Sequence, residues 1–262
     1  MLMDYHMHTP LCGHAVGELK DYVETALQRG LGEMGFSDHV ILHVDRREYS
    51  MSLDQLPRYV QGVKALQRLF PNLPIKLGVE VDYSPNSVEK IRAVLRRYSF
   101  DYVLGSVHSM GDWFFDDNRY VGEYHRRDVG QVYEEYFRLV QEASLSGLFD
   151  VMAHPDLIKK FGYKPKDDPQ PLYRKTVEAF KDAGICIEVN TSGLRKPVKE
   201  IYPNREFLKL CLENRIPVTL GSDAHQPKEV GQDLEKAISL LKSVGYKELT
   251  LFTERKRKYA PL

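Results

Sequence analysis

No stretch of this sequence is apolar for the roughly 18–20 residues that a membrane-crossing helix needs. The opening Met1-Leu2-Met3-Asp4-Tyr5-His6 also lacks the basic segment and apolar core of a secretory leader. A cytoplasmic protein with no membrane partner is therefore expected. Cysteine is scarce: Cys12, Cys186 and Cys211 are odd in number and widely spaced, with no Cys-x-x-Cys pair. That excludes a disulfide framework and reads as reduced thiols. Neither sign of charge is in excess, since 37 Lys and Arg balance 37 Asp and Glu. A nucleic-acid partner, which would show an overall basic excess, is not expected. There is no low-complexity segment and no Gly-, Pro- or Ser-rich linker, so residues 1–262 are expected to form one domain.

What the sequence does have is alternation. Short apolar stretches at Leu2–His6, Glu33–Asp38, Ile75–Tyr83, Tyr102–His108, Phe149–His154, Ile185–Asn190 and Val218–Asp223 read as strands. Between them lie amphipathic segments with apolar residues three and four apart. Leu53–Phe70 is one, with Ser52 or Asp54 as N-cap and Pro57 in its first turn. Others are Glu18–Arg29, Ser87–Tyr98, Val129–Ala143, Leu172–Ala183, Asn204–Asn214 and Asp233–Val244. Strand and helix repeated about seven times predict an α/β protein with a parallel sheet, open or closed into a barrel. Glu248–Phe252 fits a further short strand, and Ile158–Pro171 reads as a long functional or mobile loop.

His, Asp and Glu gather where the predicted strands end. His6 and His8 close the first, Asp38 and His39 the second, Glu80 and Asp82 the third, His108 the fourth, His154 the fifth, Asp223 and His225 the seventh. In a parallel α/β fold these ends converge on one mouth, where active sites are built. Residues two apart on a strand share a face, so His6 with His8, and Asp223 with His225, can grip a common ion. One such histidine would be an ordinary side chain; six sites at the same edge make a metal cluster. Imidazole and carboxylate without thiolate suit zinc, manganese or iron in a catalytic setting.

The ordered set His6-x-His8, His14, Asp38-His39, Glu80, His108, His154 and Asp223-x-His225 resembles the motifs of the polymerase-and-histidinol-phosphatase (PHP) superfamily across essentially the whole chain. Asp4-Tyr5-His6-Met7-His8-Thr9-Pro10-Leu11-Cys12-Gly13-His14 looks like the opening of its histidinol-phosphate phosphatases. So do Gly78-Val79-Glu80-Val81-Asp82-Tyr83, Gly105-Ser106-Val107-His108 and Asn190-Thr191-Ser192-Gly193-Leu194-Arg195. The resemblance implies a distorted, TIM-like (β/α)7 barrel with three divalent metal ions at the C-terminal mouth. His6, His8, Glu80 and Asp223 would hold the first, His14, His39 and His225 the second, and Glu80, His108 and His154 the third.

The activity so implied is hydrolysis of L-histidinol phosphate, a small phosphomonoester, in histidine biosynthesis. A hydroxide held between the metals is expected to attack phosphorus in line. Asp223 would orient it or take its proton, and Glu80 would bridge. Arg195 is expected on the phosphate, which its fork can bind through two oxygens. Lys159 and Lys160, which follow His154, are candidates for a second cation where the family favours Arg, with a solvated surface pair as the plainer expectation. His43 and His125 are candidates for touching an imidazole-bearing substrate, with exposed loop positions as the plainer expectation. Trp113, Phe114 and Phe115 would either wall the pocket or pack inside. Asp38 is expected to orient ligands. Rival readings are a related phosphoesterase acting on nucleotides or DNA ends, a non-catalytic metal-binding barrel, and, further off, a C–N hydrolase.

Overall fold

The computed structural model describes residues 2–262. Seven parallel strands form the sheet: β1 (Met3–Asp4), β2 (Glu33–Phe36), β3 (Ile75–Asp82), β4 (Tyr102–Ser106), β5 (Val151–Met152), β6 (Cys186–Asn190) and β7 (Val218–Gly221). They lie in chain order, and the ring closes between first and last. Tyr5 N donates to Leu220 O at 3.0 Å, Ala224 N to His6 O at 3.1 Å and His8 N to Ala224 O at 2.9 Å. The result is the expected distorted seven-stranded α/β barrel. A two-residue strand, His39–Val40, pairs with the upper half of β3 and sets His39 level with Glu80.

Seven α-helices cross over the outside: α1 (Leu19–Gln28), α2 (Leu56–Leu69), α3 (Val88–Leu95), α4 (Val129–Leu145), α5 (Gln170–Ala183), α6 (Arg205–Glu213) and α7 (Leu234–Val244). Their ends follow local chemistry. Asp128 caps α4 by accepting from Gln131 N, and Asn204 caps α6 by accepting from Phe207 N. Gly184 ends α5 at φ 60°. The cap expected at Ser52 or Asp54 is instead Gln55. Ser52 N donates to the Gln55 side chain and Gln55 N to Ser52 O, closing a turn that delays the helix. No helix among the described residues is long and apolar enough to cross a membrane.

The barrel interior is packed rather than hollow. Tyr102 fills it from β4, and its hydroxyl donates to Tyr5 O at 2.6 Å. A Cβ at Gly78 would overlap that ring, so the neighbouring strand needs glycine there. Below, the segment expected as a single strand is a hairpin of β8 (Glu248–Thr253) and β9 (Lys256–Pro261). Its turn residues Glu254 and Arg255 have φ 50° and 62°, as a tight two-residue hairpin turn requires. The hairpin seals the N-terminal end of the barrel. Phe252 packs on Tyr5 and Tyr102, its N–H donates to the Tyr5 hydroxyl, and Arg255 pairs with Asp150 at 2.8 Å. The opposite end, where β1–β7 finish, stays open.

Candidate metal centre

Glu80, fully buried on β3, stands at the centre of that open end. Its Oε2 lies 3.1 Å from His6 Nε2, 2.8 Å from His39 Nδ1 and 3.8 Å from His8 Nε2. Its Oε1 lies 3.0 Å from His154 Nε2 and 3.7 Å from His108 Nε2. Asp223 Oδ1 faces His8 Nε2 at 3.1 Å and His6 Nε2 at 3.8 Å. His225 stacks on His8 with ring centroids 4.0 Å apart, and His14 lies tilted against His225 at 4.5 Å. All nine residues expected as ligands thus meet at one mouth. Three further features bear on metal binding.

The first is orphaned polarity. His6 Nε2, His8 Nδ1, His154 Nδ1 and Glu80 Oε2 are sealed from solvent and make no hydrogen bond, which a folded protein rarely tolerates without another partner. The second is ligand grouping. Donor atoms of His6, His8 and Asp223, of His6, Glu80 and His154, of His39, Glu80 and His108, and of His8, His39 and His225 lie within 4.8 Å of one another. These sets overlap with the expected partition, with Glu80 again in two of them, but they also share His6, His8 and His39 and do not include His14. A further set, His8, Cys12 and Asp38, has the same spread. There Asp38 is already occupied, accepting from the Thr9 hydroxyl and from His39 N.

The third is charge. Burial pushes Glu80 toward its neutral form, but the imidazoles of His39 and His6 overcome this and hold its carboxyl well below the usual range. Asp223 behaves alike, burial being outweighed by His6 and His8. Burial, reinforced by His8, keeps His225 neutral, and burial with His39 and His8 takes His14 down to about 4. His6 goes the other way: burial opposes its charge, yet Glu188, Glu80 and Asp223 draw it well above its ordinary value. Ionised carboxylates packed among buried imidazoles form a site that favours cations, and the donor set fits divalent metals.

Behind these residues lies a ring of carboxylates. His6 Nδ1 donates to Glu188 Oε1 at 2.7 Å, which fixes the ring and turns Nε2 toward the cluster. Glu188 also accepts from His154 N at 2.9 Å and Asn190 Nδ2 at 3.0 Å. His108 Nδ1 lies 3.2 Å from Asp82 Oδ1, and His8 Nδ1 lies 3.5 Å from Asp38 Oδ1, in the orienting position expected of Asp38. A Cβ at Gly221 would overlap Glu188 Oε1 and come within 2.6 Å of His6 Cβ, so this approach requires glycine. Glu188 was not singled out from the sequence. Its signal was there, a charge in the otherwise apolar run Cys186-Ile187-Glu188-Val189.

A cavity of about 680 Å³ opens above the cluster, lined among others by Arg195, Lys160, Lys196, Phe114, Tyr49 and Asp116. Arg195 Nη2 donates to Ser222 O at 2.6 Å, while its buried Nη1 has no partner. Two expectations are corrected. Lys159 does not reach the cavity; it is buried, its ammonium held by Asp156 at 2.8 Å, Glu200 at 3.1 Å and Ile201 O at 2.9 Å. The short 3-10 turn at Leu157–Lys159 sends only Lys160 to the mouth. His43 does not line the cavity either. Its Nε2 bonds Ser109 Oγ at 3.1 Å, and its ring lies behind Phe114, parallel to it. His125 lies apart, accepting from the Tyr163 hydroxyl. Of the three aromatics only Phe114 lines the cavity.

The model of the PHP domain matches residues 4–192. A probable histidinol-phosphatase of Deinococcus radiodurans is 41% identical over 99% of both chains. The histidinol-phosphatase of Bacillus subtilis is 27% identical over 88% of this chain and 96% of its own. Among solved structures, histidinol phosphate phosphatase from Lactococcus lactis, crystallised with zinc, L-histidinol and phosphate, superposes with a TM-score of 0.86 at 23% identity, covering 98% of each chain. With its ligand set, barrel and full-length relatives in agreement, the chain belongs to the PHP family, among its histidinol-phosphatases.

Proposed function

We propose that this protein is a metal-dependent phosphomonoesterase that hydrolyses L-histidinol phosphate to L-histidinol and inorganic phosphate in histidine biosynthesis, acting as one domain in the cytoplasm. The observation that carries the reading is Glu80, faced on both carboxylate oxygens by imidazoles. The name of the Deinococcus relative and the ligands of the Lactococcus enzyme support the substrate. His6, His8, His14, His39, Glu80, His108, His154, Asp223 and His225 would hold three divalent ions, of zinc, manganese or iron. Such ions, when bound, neutralise the phosphoryl oxygens and make water a competent nucleophile at neutral pH.

The chain's own groups do the rest. Arg195 is braced by Ser222 O, and its unpaired Nη1 is free to donate to a phosphate oxygen. Lys160 presents a second cation from the fifth crossover. Asp223 Oδ2 accepts from Ser192 Oγ at 3.0 Å, fixing the carboxylate at the cavity edge, where it can take a proton from the attacking water. Phe114 and Tyr49 narrow the mouth and keep bulk water from the phosphate.

The test is phosphate release from L-histidinol phosphate beside a nucleotide and an aryl phosphate, before and after chelation, with zinc, manganese and iron restored singly. Metal-restored preference for histidinol phosphate is expected. Activity on nucleotides alone would overturn the substrate, and inactivity with metals bound would overturn catalysis. In the same assay Arg195→Ala should raise KM by roughly tenfold or more, the worth of a charged hydrogen bond; an unchanged KM removes Arg195 from the phosphate.

A further inference from the structure

Four carboxylates line the cavity, and three are already engaged. Asp117 is clamped by Arg46 at 3.0 Å and Arg119 at 2.8 Å. Asp223 belongs to the ligand cluster. Glu229 accepts from His225 N at 3.0 Å and Gln226 Nε2 at 2.6 Å. Asp116 differs. Its Oδ2 has one partner, Lys160 Nζ at 3.1 Å, and its Oδ1 accepts no hydrogen bond among the described residues. Its side chain is 21% exposed, enough to open on the cavity. It lines the cavity together with His108 and His154 of the cluster and with Lys160, and although burial disfavours its charge, Lys160, His108 and His154 hold it ionised.

That position has a consequence for substrate choice. A phosphate that engages Lys160 draws the ammonium away from Asp116 and leaves a part-buried carboxylate uncompensated. Leaving such a group unpaired is costly unless the ligand brings a positive charge of its own. We propose that Asp116 is the specificity residue for an ammonium group beside the ester, so that the cavity selects phosphomonoesters of amino alcohols over neutral alkyl phosphates. In L-histidinol phosphate the amine sits on the carbon next to the one bearing the ester oxygen, within reach of a group that adjoins the phosphate site. The inference rests on the phosphomonoesterase reading of the same cavity.

The experiment compares wild type with Asp116→Asn on three substrates: L-histidinol phosphate, its desamino analogue and an aryl phosphate. Calorimetric affinity for L-histidinol and for the desamino alcohol is measured in parallel. Expected is a loss of roughly 30-fold or more in kcat/KM on histidinol phosphate, about what an unpaired recognition group costs, with less than about threefold on the other two. Asp116→Glu, which keeps the charge, should recover part of the preference. Equal losses on both alkyl phosphates with the aryl ester spared would make Asp116 a proton donor to the leaving oxygen and overturn the proposal. Equal losses on all three, or none, would overturn it as well. If the wild type hydrolyses none of them, the phosphatase reading fails by itself, and the calorimetric difference between the two alcohols still decides for or against Asp116.

Discussion

At the floor of the barrel the Tyr5 hydroxyl donates to Glu33 and accepts from Phe252 N at 3.1 Å, and Lys76 donates to Thr253 at 2.8 Å. At the mouth, one residue further along the chain, His6 is as deeply buried, yet its Nε2 has no hydrogen-bond partner. The floor buries polar groups in pairs and packs aromatic rings over them. The mouth crowds imidazoles and carboxylates together and bends two of the proposed ligands, His154 at φ 28° and Asp223 at φ 56°, into left-handed backbone. Stability is thus concentrated at one end and reactivity at the other, a division the barrel permits because its strands run the same way.

Three substitutions break or sharpen this contrast. The largest effect is expected for Glu80→Gln at the mouth, at least about a thousandfold in kcat/KM, several kcal/mol of lost charge stabilisation. The melting temperature of the metal-free protein should fall by a few degrees at neutral pH, since the imidazoles that hold Glu80 ionised outweigh the cost of burying it. An unchanged or higher melting temperature would show that this pairing adds nothing to the fold. Phe252→Ala at the floor should spare activity instead. It is expected to lose about 3–4 kcal/mol in urea unfolding, the cost of a buried aromatic, while the folded fraction keeps kcat/KM within about twofold. A loss of activity as large as the loss of stability would mean the two ends are coupled. The smallest effect is expected for Glu188→Gln. Metal affinity should weaken by roughly 10–100-fold, with kcat restored at saturating metal. Undiminished affinity would reduce Glu188 to packing.

The seven staves were legible because each is an apolar run bounded by a helical period, and the meeting of the nine candidate ligands at one mouth because they stand at the same end of those runs. Boundaries were less so. Phe149–His154 and Val218–Asp223 shorten to Val151–Met152 and Val218–Gly221 in part because the ligands that end them leave extended geometry. The return strand Lys256–Pro261 was invisible, since its charged, solvent-facing residues carry no apolar alternation. Lys159 and Lys160 are chemically identical neighbours, and only the turn that carries them decides which one meets the cavity. Glu188 required knowing that His6, far away in sequence, would lie against it.

Ring closure joins Tyr5 to Leu220, and it also joins His6 and His8 to Asp223 and His225. Contacts this remote in sequence form late, because the chain between them must first be gathered. On the ribosome, seven of the nine proposed metal-binding side chains would emerge long before the last two, with the first strand still waiting for its final neighbour. Of the three proposed sites, the one built from Glu80, His108 and His154 would be complete by residue 154, while the other two would wait for Asp223 and His225. Full metal loading would then report that synthesis has passed residue 225 and the circle has shut.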